Sequence, residues 1–238
     1  MAKICGIMGD TGYGKSISPV VPPDGVLKED EYNGINPSTT CIFNLDKKEL
    51  PYANYINNFP VWKKIFGDFL KKNVLKPNDE ELIPWIEAAT KKPEINTIII
   101  DTFSLGMFRH RMKTEEQKGY EKWNNLNVKF WKLLENIQEN KRDDLIVWIF
   151  FHIEEGKDRE GNTVYHAKME GNLLTKIPEK IITNMFFATK DGDNYVFETQ
   201  ANGTTAKNPP LLFDNKIPNS LKLIEDTLRG IKNYRNIK

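Results

Sequence analysis

Gly9, Gly14, Lys15 and Ser16 fit the pattern G-x-x-x-x-G-K-[ST] within GDTGYGKS, directly after the apolar run KICGIM. The chemistry open to this spacing is phosphate binding. Consecutive backbone N–H groups converge on phosphate oxygens only where the chain turns sharply, and side chains at the glycines would obstruct the approach. Lys15 would reach the β- and γ-phosphates, and the Ser16 hydroxyl would take a position on magnesium. The expected cradle is Gly9, Asp10, Thr11, Gly12, Tyr13, Gly14, Lys15, Ser16 and Ile17. Pro19, Pro22 and Pro23 follow at once. Proline lacks the N–H and clashes one turn back, so the helix that normally follows such a loop is expected to be short or kinked. The first-turn N–H groups, Gly12 to Ser16, precede every proline and stay free for phosphate.

Three more polar groups stand at the ends of apolar runs. NTIIIDTFS carries Asp101 at its tip, with Thr102 and Ser104 beside it. If its strand neighbours that of the phosphate loop, Asp101 holds magnesium through a water; otherwise it caps a strand-end turn. LIVWIFF ends in His152, which either touches the γ-phosphate or is a satisfied core histidine. CIFNLD ends in Asn44 and Asp46, with Glu49 close behind. Hydrolysis needs a carboxylate to orient or deprotonate water, and Asp46 and Glu49 are equal candidates, each alternatively a solvated loop acid.

These residues need a scaffold that brings strand tips together. Short apolar runs at 3–8, 40–45, 95–101, 145–151 and 181–187 read as buried parallel strands. Between them lie helical faces: Val61, Trp62, Ile65, Phe66, Phe69 and Leu70 on one, and Trp123, Leu126, Phe130, Leu133, Leu134 and Ile137 on another. The alternation predicts an α/β fold, a mostly parallel sheet flanked by helices. Asp191-Gly192 and Asn202-Gly203 then predict consecutive hairpins, a C-terminal antiparallel extension of the sheet. Leu221, Ile224, Leu228 and Ile231 predict a last helix at about 219–234, so hairpins and helix occupy about 181–235. The stretch 17–39, with Asp24-Gly25, Asn33-Gly34 and Asn36-Pro37, reads as a surface insertion. No linker divides the chain, and one domain over 1–238 is expected.

Composition bounds the partners. Lys+Arg 34 against Asp+Glu 33 leaves a formal charge of +1, so any case for a polyanion must rest on local clusters. The opening apolar run falls far below a signal peptide and 145–151 is too short for a bilayer; the expectation is a soluble cytoplasmic protein without a membrane partner. Cys5 and Cys41 lie inside strand-like runs and suit reduced core thiols, not a zinc site or disulfide framework.

With its strand tips in place, the chain resembles the RecA-like ATPases of bacteriophages, in particular the Sak-type single-strand annealing group. The resemblance runs over nearly the whole length, through MAKICGIMGDTGYGKS, CIFNLDKKELPY, TIIIDTFS, GYEKW, IFFHIEEG, AKMEGNLL and FETQANGTTAKNPPLLFDNKIPNSL. It implies a RecA-like core, ATP and Mg2+ as cofactors, subunits assembled as a ring or filament on single-stranded DNA, and a role in phage recombination or replication beside a single-strand DNA-binding protein. The compartment would then be the host cytoplasm. His152 takes the place of the residue that senses the γ-phosphate and opens a DNA-contacting loop. Channel-facing DNA contacts would come from Arg109, Arg111 and Lys113 after Asp101, and from Lys157 and Arg159 after His152, supplying sequence-independent, salt-sensitive affinity. Lys168 and Lys207 would reach a neighbour's nucleotide, as arginine fingers do. The chain departs from the group in the prolines after Ser16 and at Met169 and Asn172, which replace a hydroxyl and a second cation. Turnover that is slow, or dependent on DNA and assembly, follows from those departures.

The leading expectation is thus a DNA-dependent ATPase promoting annealing or strand exchange. A nucleotide-switched single-strand-binding module with negligible hydrolysis stands second. A small-molecule kinase stands last, because such enzymes bring an arginine-rich lid over the phosphates and this chain has six arginines, clustered only at Arg109 and Arg111.

Overall fold

The computed structural model describes residues 1–28, 31–51, 74–77, 81–113, 121–170 and 178–231. Its strands are β1 (Lys3–Met8), β2 (Thr40–Asn44), β3 (Val74–Leu75), β4 (Thr97–Asp101), β5 (Ile146–Phe151), β6 (Ile153–Lys157), β7 (Thr163–Ala167), β8 (Asn184–Asp191), β9 (Asn194–Glu198) and β10 (Lys216–Pro218). Its helices are α1 (Leu82–Thr90), α2 (Phe103–Lys113), α3 (Glu121–Gln138), α4 (Pro178–Ile181) and α5 (Leu221–Leu228). Eight strands form one sheet in the order β10-β9-β8-β1-β5-β4-β2-β3. From β8 to β3 all neighbours are parallel, and β8, β9 and β10 pair antiparallel.

The sheet is buried on both faces because its central strands are mostly apolar, β5 at every position. In β5, Val147, Ile149 and Phe151 point to one core, and Ile146, Trp148 and Phe150 to the other. The first core is closed by Leu82 and Ile86 of α1, Phe103 and Met107 of α2, and Phe130, Leu133, Leu134 and Ile137 of α3. The second is closed by Val20, Ile35, Phe213 and the α5 residues Leu221, Leu223 and Ile224. The fold is therefore the expected α/β class: a mostly parallel sheet flanked by helices, with an antiparallel C-terminal extension. Among the described residues no helix is long and apolar enough to cross a membrane.

Several local expectations change. The helix after the phosphate loop has the short form expected from the prolines, a single 3-10 turn over Lys15–Ile17; the changes lie elsewhere. The stretch 17–39 is exposed around 24–28 but buries Val20, Val21 and Ile35, and Val20 and Ile35 pack into the second core. Asn202-Gly203 makes no tight hairpin. The chain there runs on beside Tyr165 and Met185, and only later returns as β10. A hairpin missed in the sequence is β6–β7, closed by Asp158, whose carboxylate accepts from the Glu160 and Asn162 amides (2.9 and 2.8 Å). Gly161, at φ 87°, completes that turn. Helix α5 is shorter than 219–234: Ser220 caps its start, Gly230 at φ 70° follows its end, and Ile231 is exposed. The helical face from Val61 to Leu70 and the side chains of Trp123 and Leu126 lie outside the described residues.

Candidate nucleotide-binding site

The parallel strands bring their carboxyl ends to one edge, where ligands of open α/β sheets bind. The loop after β1 sits there, with Gly12 and Gly14 both at φ 85°, a conformation that penalises a side chain. Gly14 is also crowded: a Cβ would lie 2.8 Å from Asn219 Nδ2 and 2.9 Å from the Tyr195 ring. At Gly9 a Cβ would fall 2.8 Å from the Ala188 carbonyl on β8, so this glycine serves strand packing as well as the turn. Lys15 folds back into the loop, its Nζ donating to the carbonyls of Gly9 (2.7 Å) and Asp10 (2.8 Å). Burial lowers its pKa from 10.5 to about 8, against the opposing pull of Asp101, Asp10 and Asp46.

The strand of Asp101 is not the neighbour of the phosphate-loop strand, since β5 lies between β1 and β4. The condition placed on Asp101 from sequence is corrected in that respect. Its carboxylate nevertheless reaches the loop: it is 3% exposed, accepts from the Thr102 hydroxyl (2.9 Å) and lies close enough to the Ser16 hydroxyl to be stabilised by it. Burial raises its pKa, and the two hydroxyls and the Lys15 cation oppose the shift. A serine hydroxyl against a carboxylate, both oxygen donors, fits a hard cation such as Mg2+ that takes its other ligands from phosphate and water. Among the described residues no group of three or more His, Cys, Asp or Glu forms a metal cluster. A protein-built cage is therefore absent there, and Ser16 and Asp101 are the residues that would hold the ion.

Asp46, just past β2, lines the same cleft; its Oδ1 accepts a long bond from the Thr102 amide (3.4 Å). Glu49 is exposed and does not line the cleft. Asn44 closes the turn between them, accepting from the Lys47 amide (3.0 Å) and donating to the Lys48 carbonyl (2.7 Å). His152 lines the cleft half-buried, its pKa lowered first by burial and then by the Lys15 cation, which keeps the imidazole neutral at pH 7. Its amide donates to Ser104 Oγ (3.1 Å), and that hydroxyl donates to the Lys168 carbonyl (2.7 Å), so the end of β5, the start of α2 and the end of β7 meet there.

The cleft has a volume of about 400 Å³, within the range of small-ligand sites. It is lined by Thr11, Gly12, Gly14, Lys15, Ser16, Ile17, Asp46, Lys48, Pro51, Thr102, His152 and Tyr195. Lys48, Pro51 and Tyr195 were missed in the sequence. Lys48 had a signal, two positions after Asp46 on a strand-tip turn; Tyr195, on β9, had none, since only the sheet order brings it to Gly14. Lys168 is exposed, and its charge helps to lower the pKa of His152 in its own chain. Lys207 lies away from the lining, with its backbone paired to Met185.

The DNA-contact expectations separate by environment. The segment after Asp101 is the helix α2 and not a loop. Arg109 donates to the carbonyls of Leu45 and Asp46, and Arg111 pairs with the buried Glu170 carboxylate (2.7 Å). Both guanidiniums are therefore engaged within the protein. Lys113 ends the same helix, exposed. Lys157 and Arg159 are exposed on the β6–β7 hairpin, where the Lys157 ammonium donates to Thr163 Oγ1 (2.8 Å).

The fold and the cleft together describe a mostly parallel α/β protein with a phosphate-loop-like site at the carboxyl edge of its sheet. No family model matches the sequence, and no curated protein matches it. Among solved structures, a KaiC-like protein from the hyperthermophilic archaeon Pyrococcus horikoshii is similar over 82% of this chain and 76% of its own, at 12% identity and a TM-score of 0.46.

Proposed function

We propose that the protein is a RecA-like ATPase that binds ATP with Mg2+ and acts on single-stranded DNA, in annealing or strand exchange during phage recombination or replication. The observation that carries the nucleotide part is the convergence of Lys15, Ser16, Asp46, Thr102 and His152 from four strand tips on one cleft, with the Asp101 carboxylate buried just behind its lining. Lys15 and the loop amides bind the phosphates, and Asp46 orients the attacking water. Neutral His152 stands where a γ-phosphate would project and passes its position to the β6–β7 hairpin through Ser104 and Lys168. Bound Mg2+ would supply neutralisation of phosphate charge, with Ser16 and Asp101 as its protein side.

The DNA part rests on the resemblance and on the exposed Lys113, Lys157 and Arg159. Subunits assembled as a ring or filament would bring the exposed Lys168 toward a neighbour. A second reading, a nucleotide-switched DNA-binding module with negligible hydrolysis, is favoured by one observation: among the described residues no arginine lines the cleft. Measuring ATP binding and turnover with and without single-stranded DNA separates the two. DNA-stimulated turnover that is lost in Asp46→Asn supports the ATPase; tight binding with no turnover under any condition supports the module; failure to bind ATP removes both.

A further inference from the structure

We infer that Arg109 is a positioning residue for hydrolysis, holding the turn that carries Asp46 so that the carboxylate stays aimed into the cleft. The inference rests on the ATPase reading above. From α2, the two terminal nitrogens of the guanidinium donate to successive carbonyls, those of Leu45 and Asp46, the latter at 3.0 Å. The same helix seats the turn by shape. At Gly106 a Cβ would come within 2.7 Å of Leu45 Cδ1, so the missing side chain is what lets Leu45 pack against α2. The Leu45 amide donates to the Asp101 carbonyl at 2.5 Å, tying the turn to the tip of β4. Asn44 closes it from within through Lys47 and Lys48.

Arg109 is thus the side chain that clamps the backbone of Asp46 itself, while the carboxylate of Asp46 lies beside Lys15 and Thr102. The planar guanidinium meets the two carbonyls with two separate nitrogens held in a rigid fork, whereas a lysine ammonium presents a single nitrogen on a flexible stem. Hydrolysis is sensitive to this because a water-orienting group displaced by about 1 Å can cost about a hundredfold in rate. ATP affinity is not, because phosphate contacts come from the loop after β1. The clamp also accounts for an arginine that sequence reading assigns to DNA.

The test is a double-mutant cycle. ATP affinity and single-turnover hydrolysis are measured for wild type, Arg109→Ala, Arg109→Lys, Asp46→Asn and the Arg109→Ala/Asp46→Asn double variant, each normalised to folded protein by its melting curve. Lys132→Ala, an exposed position on α3, controls for loss of a charge. Arg109→Ala is expected to keep ATP affinity within about threefold while turnover falls about tenfold to a hundredfold. Arg109→Lys should fall between, and the double variant should be no slower than Asp46→Asn alone. Wild-type turnover in Arg109→Ala, or a double variant slowed by the product of the two single effects, overturns the inference and leaves the ATPase reading intact. So does a loss of single-stranded DNA binding in Arg109→Ala with turnover unchanged. A wild type that binds ATP and never turns it over overturns both.

Discussion

Lys15 is a buried cation at the end of an exposed loop. Its ammonium is satisfied by two carbonyls of its own turn, and burial brings its pKa to about 8. The charged form is the one that pairs with phosphate, so ATP affinity should be flat below pH 8 and weaken as pH rises through that value, approaching tenfold per pH unit. Isothermal titration from pH 6.5 to 9.5 checks this; affinity independent of pH would mean that the ammonium does not meet the ligand. The stability sign is opposite. Between about pH 8 and 10.5 the unfolded chain holds a proton on this lysine that the folded chain has shed, so the contribution of Lys15 to stability rises with pH over that window. The loop glycines and Lys15 were legible from sequence because their spacing is local. The choice between Asp46 and Glu49 was not, since it depends on how Asn44 and Arg109 turn the chain after β2.

The β6–β7 hairpin is where the DNA reading now concentrates, and its charges argue for a modest contact. Between Ile153 and Ala167 the sequence carries Lys157 and Arg159 against Glu154, Glu155, Asp158 and Glu160, so the hairpin as a whole is not cationic. Binding through it would depend on the two basic residues alone. Replacing both by alanine should weaken single-stranded DNA of any sequence and reduce the slope of log affinity against log salt by about 1.4, from about 0.7 per lost phosphate contact. Binding measured across a salt series decides it; an unchanged slope removes the hairpin from the DNA interface. Sequence pattern reads the central strands well because their apolar runs are buried on both faces of the sheet. It fails at the hairpin, where GKDREGNT is polar throughout and the turn is built by Asp158 and Gly161. It fails again in the stretch 17–39, read as a surface insertion, where Val20 and Ile35 are buried in the second core.

Across the molecule, the C-terminal segment takes over support that a helix after the phosphate loop would give. The Leu221 amide donates to the Ser18 carbonyl (3.1 Å), Ser220 Oγ to the Val21 carbonyl (2.7 Å), and Asn219 Nδ2 reaches toward the Tyr13 carbonyl (3.5 Å). Helix α5 is in turn anchored under the sheet by Glu225, which is 6% exposed and accepts from Thr97 Oγ1 (3.0 Å) and Trp148 Nε1 (2.9 Å) beside Arg229. Removing that carboxylate with Glu225→Ala leaves the buried Trp148 Nε1 donor without its partner, while Arg229 keeps the Asn96 and Asp144 carbonyls, and should cost about 1–3 kcal/mol in urea unfolding; a loss below about 0.5 kcal/mol would show that the network does not anchor the helix. None of this long-range bracing is visible in local sequence, because Thr97, Trp148 and Glu225 meet only once β4, β5 and α5 are assembled. The account as a whole stands on the cleft being a nucleotide site, and titration of Mg-ATP into wild type and Lys15→Ala at pH 7.5 examines that. Wild type should bind one nucleotide per chain and Lys15→Ala, folded to the same melting temperature within a few degrees, should bind at least about a hundredfold more weakly, a loss of about 2.7 kcal/mol. Equal affinity in the two proteins would contradict it.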